Sequence, residues 1–284
     1  MEAQTPTQRT EPETTVLDPS MRTTARVRIA LSLLLVASNA AAQTKGVLLE
    51  DRTWPQAEQA LTRSSVVVIP LGAGAKEHGP HLKLSNDFLM AEYLKRRVID
   101  AADVVVAPTI NYSFYPAFLA YPGSTSLNTE TARDMIVQIC RTLAAYGPRK
   151  FYVLNTGIST MAPLRQAAAI LETDSITMRF TNLSIVMADV ERQVAKQEGG
   201  THADEIETSM MLYIAPNTVD MSKAVKDYRP SRGRLVRDST QAGTYSPSGI
   251  WGDATLATRE KGEKVVEALV AGILRDIRQL RASP

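Results

Sequence analysis

Apolar positions along the chain switch between two periods. Val66-Val67-Val68-Ile69 is a continuous β-branched run, as expected of a strand buried on both faces. Pro70 and the glycine and small residues after it are expected to break that strand into a loop. Helical spacing takes over at Asn86–Ala102, with Ser85 or Asn86 as N-cap. Asp103–Ile110 (DVVVAPTI) reads as a second buried strand, and Asn128–Tyr146 as a helix stopped by Gly147-Pro148. Lys150–Asn155 (KFYVLN) is the third strand, followed by a helix through Leu171, and Leu183–Val190 (LSIVMADV) reads as the fourth. Helices are predicted over Glu205–Ile214 and Thr258–Arg281. Strands alternating with helices at this spacing predict an α/β domain with a mainly parallel sheet. No repeat, low-complexity tract or long linker interrupts residues 44–284, so they read as a single domain. Ligands in such sheets bind outside the carboxyl ends of the strands. The loops after the first three strands therefore converge on one crevice.

The N-terminus departs from this pattern. Residues 1–20 lack apolar periodicity and read as a disordered leader or a start assigned too far upstream. From Met21, the basic Arg22, Arg26 and Arg28 precede an apolar run, Ile29–Ala37, and then Ala40-Ala41-Ala42. That order is a Sec-type signal peptide over residues 21–43, and the apolar run is too short for a stable membrane anchor. The expectation is an exported protein, periplasmic or secreted. The remaining composition, 44% apolar and 22% charged, suffices for one large core. A net charge of +2 provides no field that would favour nucleic acid. The single cysteine excludes an internal disulfide. Cys140 shares a helical face with Met135, Ile136, Ile139 and Leu143, which makes it a core thiol.

The chemistry concentrates after the first strand. That loop holds Glu77, His78, His81 and Asp87, and so two of the chain's three histidines. Imidazoles and carboxylates on a loop anchored by a buried strand suit a divalent metal ion. The third histidine, His202, stands in THADEIETS ahead of Glu207. With HGPHLKLSND, this segment, YPGSTSL at Tyr121–Leu127 and GIWGDATLATREKGEK at Gly249–Lys264, residues 47–280 resemble the creatininase family of metal-dependent amidohydrolases.

The resemblance implies a three-layer α/β/α fold with His78 and the bridging Asp87 as metal ligands and Glu207 as a further one. Glu77 would either reach the metal or pair with Lys76 at the surface. His81 would make a supporting hydrogen bond, His202 would handle a proton, and Asp204 and Glu205 would cap and charge their helix. Two departures stand out. Ala75-Lys76-Glu77-His78 replaces the family's Glu-Gln-His after Gly-Ser, and Asn155–Thr160 (NTGIST) replaces Asn-Gly-His-Gly-Gly-Asn. Gly157 thus stands where the family's histidine binds metal. Either one metal remains, or water or Thr156 fills the gap, or catalysis is lost. Tyr112, Tyr115, Tyr121 and Trp251 lie in loops, as pocket lining or as packing.

The function expected is cleavage of a non-peptide C–N bond, in a cyclic amide or formamide, by metal-activated water. His202 would pass the proton to the leaving nitrogen and Lys76 would stabilise the oxyanion. One Zn, Mn or Fe ion per chain, a small-molecule amide substrate and a homo-oligomer complete the expectation. The rival is a non-catalytic exported binding protein with a degraded metal site. Mass spectrometry of the exported protein should find an N-terminus at Gln43 or Thr44. Full-length protein retained in the cytoplasm would remove the export expectation.

Overall fold

The strands that carry the architecture are β1 (Val47–Leu48), β2 (Val66–Leu71), β3 (Val105–Val106), β4 (Lys150–Asn155) and β5 (Thr177–Phe180). They form one five-stranded sheet in the order β1-β3-β2-β4-β5, parallel throughout. The computed structural model describes residues 45–230 and 233–284. The expected leader and signal peptide lie outside those residues. Thr44–Pro284 makes up one compact unit, and no described helix is long and apolar enough to cross a membrane.

The helices, in chain order, are α1 (Trp54–Ala60), α2 (Asn86–Ala101), α3 (Thr129–Ala144), α4 (Met161–Thr173), α5 (Leu183–Val186), α6 (Ala188–Val194), α7 (Glu205–Ile214) and α8 (Arg259–Ala282). Successive strand residues point to opposite faces, and the sheet sorts them accordingly. Val66, Val68, Tyr152 and Leu154 pack with Leu94 of α2, Met210 of α7 and Leu269 of α8. Val67, Ile69, Phe151 and Val153 pack with Ile136 and Cys140 of α3 and Leu164 of α4. The result is a three-layer α/β/α sandwich. Each such fully buried aliphatic side chain contributes about 1.5–3 kcal/mol relative to exposure. Sheet burial therefore holds the molecule together.

Two expectations need correction. Pro70 does not break the first strand. β2 runs on through Pro70 to Leu71, pairing with Leu154 and Asn155 of β4, while the Pro70 carbonyl accepts from Ile110 N–H (2.9 Å). Proline costs a strand only its donor, and here the acceptor alone is used. The second correction is LSIVMADV, which is not a strand but α5 and the start of α6. Leu183, Val186, Met187, Val190 and Val194 all pack on the core. Their spacing of three and four residues is helical, while Ile185 points to solvent, 72% exposed. The true fourth long-range strand is β5, TMRF, whose alternating exposure suits a sheet edge.

Helices α7 and α8 approach closely at Gly262 of α8. A Cβ there would lie 1.8 Å from the Ser209 carbonyl oxygen of α7. Gly262→Ala must therefore push two helices apart. Overpacking of this kind costs about 1–3 kcal/mol, and each kcal/mol lowers Tm by roughly 2–4 °C in a domain of this size. Calorimetry should show a drop of that order. An unchanged Tm would mean α7 and α8 do not pack this closely.

Candidate metal centre

The loop from β2 to α2 is folded tightly over the end of the sheet. Gly72 makes this possible, because a Cβ there would meet the Asp87 carbonyl at 2.2 Å. Lys76 N–H donates to Leu84 O (3.0 Å) and Phe88 N–H to Ala73 O (3.1 Å), which closes the loop on the first turn of α2. Ser124 Oγ of the YPGSTSL segment accepts from Glu77 N–H (2.9 Å). These contacts fix Lys76, Glu77 and His78 on a rigid base.

His78 is the centre of the cluster and is fully buried. Its Nδ1 lies 2.8 Å from the Lys76 carbonyl oxygen. A carbonyl can only accept, so Nδ1 carries a hydrogen. Nε2 then faces Asp87 Oδ1 at 2.8 Å and Glu207 Oε1 at 3.3 Å. A lone pair opposed to two carboxylate oxygens holds only if a cation, proton or metal, lies among them. Atoms of His78, His202 and Glu207 that can ligate a metal lie within 4.8 Å of one another. Nitrogen and carboxylate oxygen in this arrangement fit a divalent transition ion. The residues present therefore fit one such ion.

The second wall comes from the start of α7. Asp204 caps this helix, its Oδ1 accepting from Ile206 N–H (3.0 Å) and Glu207 N–H (2.9 Å). Burial pushes the Asp204 carboxyl up to about 6, against those donors. Ala203 takes a left-handed φ of 48°, a conformation that costs an L-residue about 1–2 kcal/mol. The turn aims Ala203 N–H at Glu207 Oε2 (2.6 Å) and sets His202 over the cleft. His202 Nε2 lies 2.9 Å from Glu77 Oε2, and its Nδ1 lies 3.8 Å from Glu207 Oε2. Glu77 thus faces His202, and its other oxygen accepts from Gly79 N–H. It does not make a surface pair with Lys76.

Lys76 points inward. Its ammonium lies 2.7 Å from Asp87 Oδ2 and sits over the rings of Phe118 (4.9 Å) and Tyr115 (5.7 Å). Burial alone would raise the Asp87 carboxyl, but Lys76 and His78 outweigh it and hold it below the usual range. Burial also opposes charge on Lys76, and Asp87 and Glu207 overcome it and raise the ammonium. Burial and the Lys76 charge depress His78, yet Asp87 and Glu207 lift it to about 9. Glu207, which burial would raise, is held well below its ordinary value by His78 and Lys76.

The remaining candidates are committed elsewhere. Thr156 Oγ1 donates to the Leu71 carbonyl (3.0 Å) and lies 3.3 Å from that of Asp87, so it does not stand in for the missing histidine. Glu205 does not face the centre. It pairs with Lys261 and accepts from the N–H groups of Lys196 (2.8 Å) and Gln197 (2.6 Å). His81 Nε2 is 2.8 Å from Thr208 Oγ1, and burial lowers the ring to about 4, which leaves it neutral. Tyr115 and Tyr121 are packing residues, 2% and 6% exposed. Tyr112 is half exposed, and Trp251 lines the cleft. That cleft has a volume of about 730 Å³, with Lys76, Gly157, His202 and Glu207 at its floor and Phe118 and Trp251 on its walls.

Sequence reasoning did not foresee the Lys76–Asp87 pair, the Glu77–His202 pair or Phe118, which stacks on His202 with ring centres 4.2 Å apart. Only the lysine left a signal, being the single charge in the stretch Gly72–Lys76.

Comparison with known proteins agrees with the geometry. The creatininase family, described as creatinine amidohydrolase, matches residues 50–277. The chain is similar to the creatinine amidohydrolase of Pseudomonas putida, 26% identical over 83% of this chain and 98% of that one. It is similar also to the mycofactocin precursor peptide peptidase of Mycolicibacterium smegmatis, 27% identical over 73% of this chain and 82% of the other. A solved structure described as "Creatininase Mn" superposes with a TM-score of 0.70 at 25% identity, covering 84% of this chain and all (100%) of its own.

Because His78 holds a proton up to about pH 9 among these carboxylates, ligation must expel it. Metal affinity should therefore rise with pH below that value, about tenfold per unit for one proton released. Titration calorimetry in buffers of different ionisation enthalpy measures the proton directly. An affinity independent of pH between about 6 and 8 would exclude His78 as a ligand.

Proposed function

The chain belongs to the creatininase family, and from that premise we propose an exported metal-dependent hydrolase that cleaves a non-peptide C–N bond with one divalent ion per chain. A metal-dependent hydrolase is what the family and its hydrolase-named members establish. The export, the single ion and the bond class are the proposal. The observation that carries it is His78 Nε2 facing Asp87 Oδ1 and Glu207 Oε1 at 2.8 and 3.3 Å, behind a cleft that Lys76, His202 and Glu207 line.

Of the clustered His78, His202 and Glu207, His78 and Glu207 would hold the ion together with Asp87 at His78 Nε2, leaving His202 for the proton, and the ion would be Zn, Mn or Fe by these donors. When bound, such an ion supplies Lewis-acid polarisation of a carbonyl and acidification of water. The chain's own groups do the rest. Glu77 orients the His202 ring through Nε2, leaving Nδ1 on the Glu207 side of the cleft. His202 passes a proton to the departing nitrogen. Phe118, stacked on the same ring, keeps water from its face. Lys76 offers ammonium hydrogens to the oxygen that gains charge.

A cyclic amide or formamide matches the cleft and the family. One relative is named for creatinine and another for a precursor peptide, so the relatives do not single out creatinine for this chain. Export rests on the Met21–Gln43 pattern, and a homo-oligomer rests on the family resemblance.

Two variants test the division of roles. His202→Ala should lower turnover by about 10²–10⁴-fold, the usual worth of general acid–base catalysis, and keep its metal. Asp87→Ala should lose both. Elemental analysis of each variant after dialysis is the check, and equal metal loss in the two would make His202 a ligand instead.

A further inference from the structure

We infer that the Lys76 ammonium occupies the place of a second metal ion, so that this centre is built for one divalent ion and one tethered organic cation. The inference rests on the metal-dependent reading above and deepens it. Asp87 divides its two oxygens. Oδ1 faces His78 at 2.8 Å, and Oδ2 faces the Lys76 ammonium at 2.7 Å. Among the described residues Oδ2 has no other donor. A carboxylate that bridges two ions would offer its oxygens in the same way, one to each cation.

The surroundings of the ammonium are built for a cation as well. Asp87 lies on one side, and the faces of Phe118 and Tyr115 lie 4.9 and 5.7 Å away on others. Lys76 is only 5% exposed, so bulk water does not stabilise its charge. The side chain that would complete a second ion site is absent, because Gly157 has none. Its space is closed by Thr160 Oγ1 and Tyr115, which would stand 3.0 and 3.7 Å from a Cβ. Thr156 is turned onto backbone carbonyls. Among the described residues no further cluster of possible metal ligands stands on the Oδ2 side.

Charge balance leads to the same place. Glu77, Asp87 and Glu207 bring three buried or half-buried carboxylates to the centre. One ammonium and one divalent ion would balance those three carboxylates. A second divalent ion would leave an uncompensated double positive charge in a desolvated site, which is strongly unfavourable. The lysine therefore sets the stoichiometry as well as one wall.

The test is calorimetric titration of the full chain with Mn²⁺ and, separately, Zn²⁺, together with elemental analysis after dialysis. Wild type should hold one ion. Lys76→Met removes the repelling charge and should bind that ion at least about tenfold more tightly. Lys76→Arg keeps the cation and should leave both stoichiometry and affinity unchanged. Should Lys76→Met fail to fold by circular dichroism, Lys76→Gln takes its place, since it keeps a donor on Asp87 without the charge. Two tightly held ions in wild type, or no gain in affinity in the folded uncharged variant, would each overturn the inference while the metal-dependent reading stands. Wild type that binds no ion would overturn that reading itself, and the inference with it.

Discussion

The structure depends on one buried carboxylate. Asp87 has no solvent exposure, and the effective cost of burying a charge is several kcal/mol even after relaxation. Three parts of the fold converge to offset it. The β2–α2 loop delivers His78 and Lys76 to the two oxygens. Gly72 lets the end of β2 touch the Asp87 backbone, and Thr156 at the end of β4 approaches its carbonyl. Removing either partner would leave a buried charge uncompensated, a loss of about 3–5 kcal/mol. That is a large share of the stability of an ordinary domain. The same residue is therefore structural keystone and candidate ligand, and the two roles cannot be separated by its burial alone.

A scaffold that places charge so deeply must also keep it from collapsing on itself. Here the separation comes from backbone geometry. The left-handed turn at Ala203 and the Asp204 cap hold Glu207 by its own helix start, while Glu77 is held by Gly79 and Ser124. Acidic groups near the N-terminus of α7 also gain from the helix dipole. Glu207 and Glu77 thus each have a backbone donor of their own before any cation enters. Preorganisation of this kind lets a site bind an ion without first rearranging.

Much of this was legible in the sequence. The β-branched run Val66–Ile69, KFYVLN and the long apolar period of Thr258–Arg281 are strong local patterns, and each formed as expected within a residue or two. That His78 and Asp87 would meet was legible too, because they lie close in the chain. What failed was either ambiguous in period or non-local. LSIVMADV is short and nearly all apolar, so strand and helix fit it equally until Met187 and Val190 are seen on the core. The Lys76–Asp87 contact joins residues whose separation says nothing about which way a loop lysine turns. Phe118 meets His202 only through tertiary packing. No pattern in either segment announces that contact.

The misread segment bears on substrate choice. The residues that would do chemistry sit at strand ends and at one helix start, on rigid elements shared across the fold. The cleft walls come from elsewhere: Leu183 of α5, Met187 just before α6, Glu191 within α6, and Trp251. Specificity in enzymes with a common centre is set by such walls. The chain shares about a quarter of its residues with its relatives over the matched lengths. Its walls combine apolar Leu183, Met187 and Trp251 with the carboxylate of Glu191, which burial keeps raised. A substrate that suits them carries an apolar body and a polar group able to meet a carboxyl. The substrate is therefore to be sought through α5 and α6, whose form the residue pattern alone did not reveal.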